Sequence, residues 1–275
     1  MNKLKNILFN KGSSIALGGI SLILTFIPED ILKQVKIIDN CMDAMNVIIL
    51  RMIISLIIFI LVNYVYMKWH KNRRKVEIIE NNFAIQIEYG DLFDVDEGKV
   101  VIDFDECYTT KVGTLPGNIK KDSVCGQYLK KYPMEDSMQA LIAAAGINPE
   151  KEKSQYMENK RYKPGTIIPN GNFLLMAFTK LDNNGLGRLT YDEYTACLDN
   201  LWKNIDMYHG TDDVYLPILG SKIVRFDKEL TQQQLLDIMI ASYRLSPNKM
   251  KLPYKLHIVC REREGFSLND VFGID

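Results

Sequence analysis

Histidine is scarce in this chain, and cysteine carries no pattern. The three histidines (His70, His209, His257) stand far apart, and the five cysteines (Cys41, Cys107, Cys125, Cys197, Cys260) never fall at CxxC spacing. A zinc site of the usual spacing has no ligand set here, and no metal is expected. No Ser/His/Asp or Cys/His arrangement stands out either, so no residue is marked as an activated nucleophile. An odd cysteine count without metal spacing fits a reducing compartment, with the thiols as small hydrophobes or loop residues. Charge of one sign is also missing: 34 Lys and Arg balance 34 Asp and Glu. Without an acidic or basic tail, the chain offers no electrostatic footprint for nucleic acid.

What is present is a split between an apolar start and an ordinary globular remainder. Residues 52–62 form an unbroken run of apolar residues and one serine, followed by Tyr64, Tyr66 and Trp69 and then by Lys68, Lys71, Arg73, Arg74 and Lys75. An apolar run ending in aromatics and then in cations has the marks of a membrane span with its cytoplasmic flank. The second apolar segment extends over about 47–67, with Arg51 and Asn63 near its ends, where polar side chains reach the interface. A first segment, 13–27, is short for a span, and Leu8 and Phe9 extend it only if Lys11 snorkels. The alternative for that segment is a signal peptide headed by Lys3 and Lys5, although Pro28, Glu29 and Asp30 make a poor cleavage site. Ile31, Leu32, Val35, Ile38 and Met42 recur at helical spacing between the two segments, as in an interfacial amphipathic helix or an ordinary connector. Lys3, Lys5 and Lys11 precede the first segment and the cluster at 68–75 follows the second. The positive-inside rule then puts both termini in the cytoplasm of a multi-pass membrane protein, with Cys41 on the far side and open to oxidation. Gly18, Gly19, Ser14 and Ser21 offer a small-residue face for helix packing. Two spans are too few for a substrate path in one monomer, so any pore needs a homo-oligomer in the lipid bilayer.

Strand and helix signals alternate after Lys75. Strands are expected at 83–89, 99–104, 171–178, 213–219 and 255–260, and helices at 123–131, 134–145, 190–208 and 231–243. Thr190 with Glu193, and Thr231, read as helix N-caps. The expected class is α/β, with a transmembrane two-helix hairpin over 1–75 and a largely buried sheet over 76–275. Open α/β sheets bind ligands beyond the carboxyl ends of their strands. Three strand-end loops fit that rule: Gly90, Asp91, Leu92 and Phe93; the segment 103–114; and the glycine turn around Gly220. Backbone amides of such a turn can cradle a diphosphate. Each loop also has an ordinary reading as a connection. His209 reads as a helix-end residue and His257 as a strand residue that packs or faces outward. Residues 182–193 resemble an EF-hand loop at their two ends, but Leu186 stands at the fifth position, where a ligand is needed.

Together the three loops resemble a macro domain, the ADP-ribose-binding module, whose three-layer α/β/α fold the resemblance implies. Gly90-Asp91-Leu92 resembles that family's Gly-Asp-Ile/Leu signature, which gives Asp91 the role of accepting a hydrogen bond from the adenine amino group. The stretch 217–223 resembles the later phosphate loop, with Gly220, Ser221, Lys222 and Ile223 around the diphosphate and Phe226 beside the distal ribose. Across nearly the whole chain, residues 100–110, 162–182, 202–206 and 216–226 are similar to the membrane-anchored macro-domain effectors of type II Thoeris antiphage defence. That resemblance implies an ADP-ribose-derived second messenger made by a TIR-domain partner, such as a histidine conjugate, followed by oligomerisation, membrane disruption and abortive infection. Hydrolytic macro domains commonly carry an asparagine-rich segment and a glycine run where this chain has Asp103, Asp105, Glu106, Thr109 and Thr110. No catalytic residue and no cofactor is therefore expected. Asp105 and Glu106 are either solvated loop carboxylates or partners for a cationic group on the ligand. A membrane-tethered ADP-ribosyl hydrolase and a membrane scaffold with a vestigial pocket are the alternatives.

Overall fold

The apolar stretches before residue 72 form helices, and the alternating stretches after it build one sheet, in a computed structural model that describes residues 11–34, 42–71, 73–132, 137–221, 224–227, 229–263 and 265–271. The chain divides into two units, 1–73 and 74–275.

The first unit contains α1 (Lys11–Phe26), a single turn α2 (Glu29–Lys33) and the long α3 (Asp43–Lys71). Ser13 Oγ donates to Asn63 Oδ1 at 3.3 Å, and Arg51 meets Glu29 at 3.5 Å. The start of α1 thus meets the end of α3, and α2 meets its beginning, so α1 and α3 run antiparallel. Ile48, Met52, Leu56 and Ile60 recur every fourth residue of α3 and lie exposed. Such an apolar stripe suits hydrocarbon rather than water. Among the described residues one helix is long and apolar enough to cross a membrane, over Asp43–Val65. Its 23 residues would reach about 34 Å at the helical rise of 1.5 Å. The 16 residues of α1 reach about 24 Å, short of a hydrocarbon core of roughly 30 Å. The amphipathic connector expected around Val35 and Ile38 lies outside the described residues.

The second unit is a nine-stranded mixed sheet in the order β1-β2-β9-β7-β3-β5-β6-β8, with β4 paired to β5. The strands are β1 (Lys75–Glu80), β2 (Phe83–Tyr89), β3 (Lys99–Asp105), β4 (Ile167–Asn170), β5 (Phe173–Leu181), β6 (Gly187–Leu189), β7 (Val214–Pro217), β8 (Arg225–Phe226) and β9 (Lys255–Cys260). The helices are α4 (Val124–Lys131), α5 (Met138–Ala145), α6 (Tyr191–Tyr208) and α7 (Gln232–Leu245). Alternation along the strands supplies two buried faces. Val101, Leu174, Met176, Val214, Leu216, Leu256 and Ile258 pack with Leu201 and Trp202 of α6 and Leu236 and Met239 of α7. Val100, Ile102, Phe104, Leu175 and Ala177 pack with Tyr128 of α4 and Met138 of α5. The result is the expected three-layer α/β/α arrangement.

Local chemistry explains the helix starts. Thr190 and Thr231 each form a full capping box, with Glu193 and Gln234, and Ser123 and Ser137 cap α4 and α5. The edge strand β1 is missing from the sequence-based strand set, because its Lys75 closes the basic cluster and its burial alternates on one face only. Residues 182–193 carry no open cation loop: Asp182 accepts from Asn184 N and Leu186 N and meets Arg188, while Glu193 serves the cap and meets Lys180 at 2.7 Å.

Candidate functional site

The sheet opens where β7 and β3 part. These neighbours pair in parallel only at Lys99↔Val214 and Val100↔Tyr215. Beyond that point β3 stays with β5 as far as Asp105↔Thr179, and β7 stays with β9 as far as Pro217↔Val259. From β3 the chain goes on to β4 and β5 on one side; from β7 it passes through the short edge strand β8 and α7 before it enters β9 on the other. That is a topological switch point, and the strands' carboxyl ends there frame a crevice.

The crevice encloses about 760 Å³, its open mouth included. Gly90 and Leu92 line it after β2, Asp103 at the end of β3, Ser123 at the start of α4, Ile218, Gly220 and Ser221 after β7, and Arg261 and Arg263 after β9. Each position has a local cause. Asp91 Oδ1 accepts from Phe93 N at 3.0 Å, which turns the chain after β2 and buries Leu92. Ser123 Oγ accepts from Gly126 N at 3.0 Å and donates to Lys120 O at 2.6 Å. Leu219 is buried: its amide reaches Met239 Sδ, and its carbonyl accepts from Tyr194 Oη at 3.2 Å. Gly220 then takes φ +81°, and a Cβ there would come within 2.9 Å of the Phe226 ring. Only glycine fits that left-handed turn above that ring. Arg263 Nη1 donates to the Ser221 carbonyl at 2.9 Å and ties the β9 loop to the β7 loop.

The structure distributes the sequence-derived residues unevenly. Leu92, Gly220 and Ser221 line the crevice. Asp91 lies just outside, in a shallow acidic depression with Glu88, Asp94, Asp96 and Glu97 on the other side of Gly90. Phe226 supports Gly220 from beneath and packs edge-on to Tyr194, with centroids 5.4 Å apart. Lys222 and Ile223 lie outside the described residues. Asp105 and Glu106 are buried rather than solvated, and neither lines the crevice. Asp105 Oδ1 accepts from Cys107 N at 2.8 Å and Thr109 N at 3.1 Å; Glu106 Oε1 accepts from Ser154 Oγ at 2.5 Å and Leu181 N at 3.1 Å. Thr109 thus belongs to a self-closed turn, and Thr110 is exposed beyond it.

Sequence reasoning placed Asp103 in the candidate segment 103–114 without giving it a role of its own, and it gave no site role to Ser123, Arg261 or Arg263. The two arginines were legible by position, since they directly follow the last expected strand at its carboxyl end. It also left His257 undetermined. That ring is buried between Glu88 at 3.0 Å and Asp213 at 3.1 Å and stacks on Tyr215 at 4.1 Å. It staples β2, β9 and β7 together behind the crevice.

Burial dominates the electrostatics of the carboxyl and thiol groups. It pushes the Asp103 carboxyl up to about 7, opposed by its own backbone amide. It raises Asp105 as well, opposed by the donors of Thr109 and Cys107. It raises the Cys125 and Cys260 thiols and takes Cys107 to about 12, so these sulfurs stay protonated at neutral pH and are poor nucleophiles. Two guanidinium groups, a glycine turn, a serine and a largely apolar floor suit an anion carried on a flat organic group.

The family model described as "Thoeris protein ThsA, Macro domain" matches residues 85–261. The chain is 27% identical to Thoeris protein ThsA of Bacillus amyloliquefaciens (strain Y2), over 91% of this chain and 85% of that protein. Among solved structures, the Oceanobacillus iheyensis macrodomain with ADP aligns over 69% of this chain and 89% of its own, at 12% identity and a TM-score of 0.44. The macrodomain of Thermus aquaticus DarG aligns over 64% of this chain and 97% of its own, at 14% identity and a TM-score of 0.38.

Proposed function

The chain belongs to the Thoeris ThsA macro-domain family, and from that premise we propose that it is a membrane-anchored receptor of antiphage defence, gated by an ADP-ribose-derived nucleotide. The observation that carries the reading is the crevice at the β3–β7 switch point, where Arg261 and Arg263 face the Gly220–Ser221 turn. A diphosphate placed there meets two guanidinium groups and a turn with no side chain in the way. The apolar wall of Leu92, Ile218 and Val259 suits an adenine ring.

In this reading the messenger, for example a histidine conjugate of ADP-ribose, comes from a TIR-domain partner. It binds better to an assembled form of the receptor, and that difference in affinity drives oligomerisation and membrane disruption. Both termini lie in the cytoplasm and both apolar helices belong to the membrane unit. The protein acts as a receptor, not a catalyst. What supports this is the use made of the acidic groups after β3: Asp105 and Glu106 accept hydrogen bonds from their own fold and do not line the crevice.

The test uses the full chain in liposomes loaded with a self-quenched dye. ADP-ribose or its histidine conjugate should bind, raise the oligomeric state and release dye, without being hydrolysed. Saturating ligand that leaves the protein unassembled and the vesicles tight would overturn the effector reading. Release of ADP-ribose from a modified substrate would overturn the non-enzyme reading. Labelling of Cys41 by a membrane-impermeant maleimide in intact spheroplasts, in a Cys107→Ser background, checks the topology, since Cys125, Cys197 and Cys260 are buried and Cys107 is half-buried. Labelling only after lysis would put Cys41 on the cytoplasmic side and refute the multi-pass arrangement.

A further inference from the structure

We propose that Asp103 is a specificity-determining residue of the crevice, which meets the bound nucleotide as a neutral acid and donates a hydrogen bond to one of its oxygens. The inference rests on the nucleotide reading above. It adds that the anionic ligand is taken up only with a proton on the protein.

The geometry is that of a carboxyl group with one buried oxygen left unpaired. Asp103 lines the crevice where β3 separates from β7. Its Oδ1 is sealed from solvent and has no hydrogen-bond partner. Asp105, two residues on, contrasts with it, because its Oδ1 is supplied by two backbone amides. A carboxylate in such a place carries its desolvation cost uncompensated, whereas a protonated acid carries none of the charge and gains a donor. Burial raises the group to about 7, in line with that geometry.

Charged and titratable groups face Asp103 from every element around it. Asp122 and Cys125 face it from the start of α4, Cys260, Arg261 and Arg263 from the end of β9, and Asp105 from its own strand. Met176 of β5 lies opposite it in register, and Pro217 and Ile218 come from the β7 side. The thiols are raised by burial and stay protonated. An ionised Asp103 would repel a diphosphate across the crevice. Binding should therefore strengthen as pH falls through the carboxyl's own titration.

The experiment is calorimetry of ADP-ribose binding to the full chain in detergent micelles at fixed ionic strength. With the competent form populated only while the acid is protonated, the dissociation constant should rise roughly thirtyfold between about pH 6 and about pH 8.5. Asp103→Asn keeps a donor and removes the titration, so its binding should no longer vary with pH. A flat profile in the parent protein overturns the proposal, and so does a variant that keeps the parent's slope. If the variant fails to fold by thermal melting, the parent profile alone decides. Binding with a flat profile refutes only the role of Asp103, whereas no binding at any pH refutes the nucleotide reading with it.

Discussion

Two turns at the same end of the sheet put their polar groups to opposite uses. The turn after β3, residues 105–109, spends them internally: Asp105 takes the amides of Cys107 and Thr109, and Glu106 takes Ser154 and Leu181. Tyr108 adopts φ +52° there and bridges Thr166 O and the amide of Ala177 through its hydroxyl. The turn after β7 keeps its glycine and serine at the crevice, and Arg263 ties it across the mouth. A carboxylate provided with its own donors builds the fold. Asp103 and Glu106 each leave one buried oxygen unpaired, but only Asp103 does so at the crevice wall, where a ligand can meet it.

The largest effect that would sharpen this contrast is a pH dependence of stability. Burial takes the Asp103 carboxyl from 3.8 to about 7. Between those values the unfolded chain has released the proton and the folded chain still holds it, so folding loses stability as pH rises from about 4 to about 7 and levels off above. The full shift corresponds to about 4 kcal/mol. Asp103→Asn should remove that loss and melt above the parent protein beyond neutrality. Thermal melts of both across the window decide; a difference that does not change with pH refutes the burial account.

Glu106→Ala should cost about 3 kcal/mol, because Ser154 and the Leu181 amide lose their acceptor inside the protein. Ligand affinity of the folded fraction should stay at the parent value. A denaturant titration reads the first and calorimetry the second. A variant that is stable but blind to ADP-ribose would reverse the assignment of the two turns.

Much of the frame is legible in residue order. The strand at 255–260 has the bounds observed, and the Thr190 and Thr231 caps are present. Both depend on neighbours in sequence, which periodicity and capping report. The glycine turn at Gly220 is legible for the same reason, since its demand for a left-handed φ is local. The burial of Asp105 and Glu106 is not. Glu106 depends on Ser154, some 50 residues away, and on Leu181, on the strand next to β3, and Asp105 on a turn that closes on itself through Cys107 and Thr109, so their acidic character suggested solvent or ligand instead. The wedge between β7 and β3 is equally hidden, because it follows from strand order. That order turns Arg261 and Arg263 from residues after the last strand into the basic rim of a crevice formed around residue 103.

Two smaller changes probe the β7 turn itself. Gly220→Ala should cost about 1–2 kcal/mol, from the left-handed backbone and from the ring 2.9 Å from the new methyl. The turn would shift with it, so binding should weaken at all pH values; binding as tight as the parent's would show that the turn does not touch the ligand. Arg263→Ala is the gentlest test and the most selective. The side chain is exposed, and its partner is a carbonyl at a loop surface, so its loss should change stability by less than about 0.5 kcal/mol. If the guanidinium also faces a diphosphate, affinity for ADP-ribose should fall about tenfold, the equivalent of 1.4 kcal/mol. Arg263→Lys should recover part of it, because the charge returns without the fork. Unchanged affinity would reduce Arg263 to a surface tie. The anion-binding role would then rest on Arg261 and the turn alone.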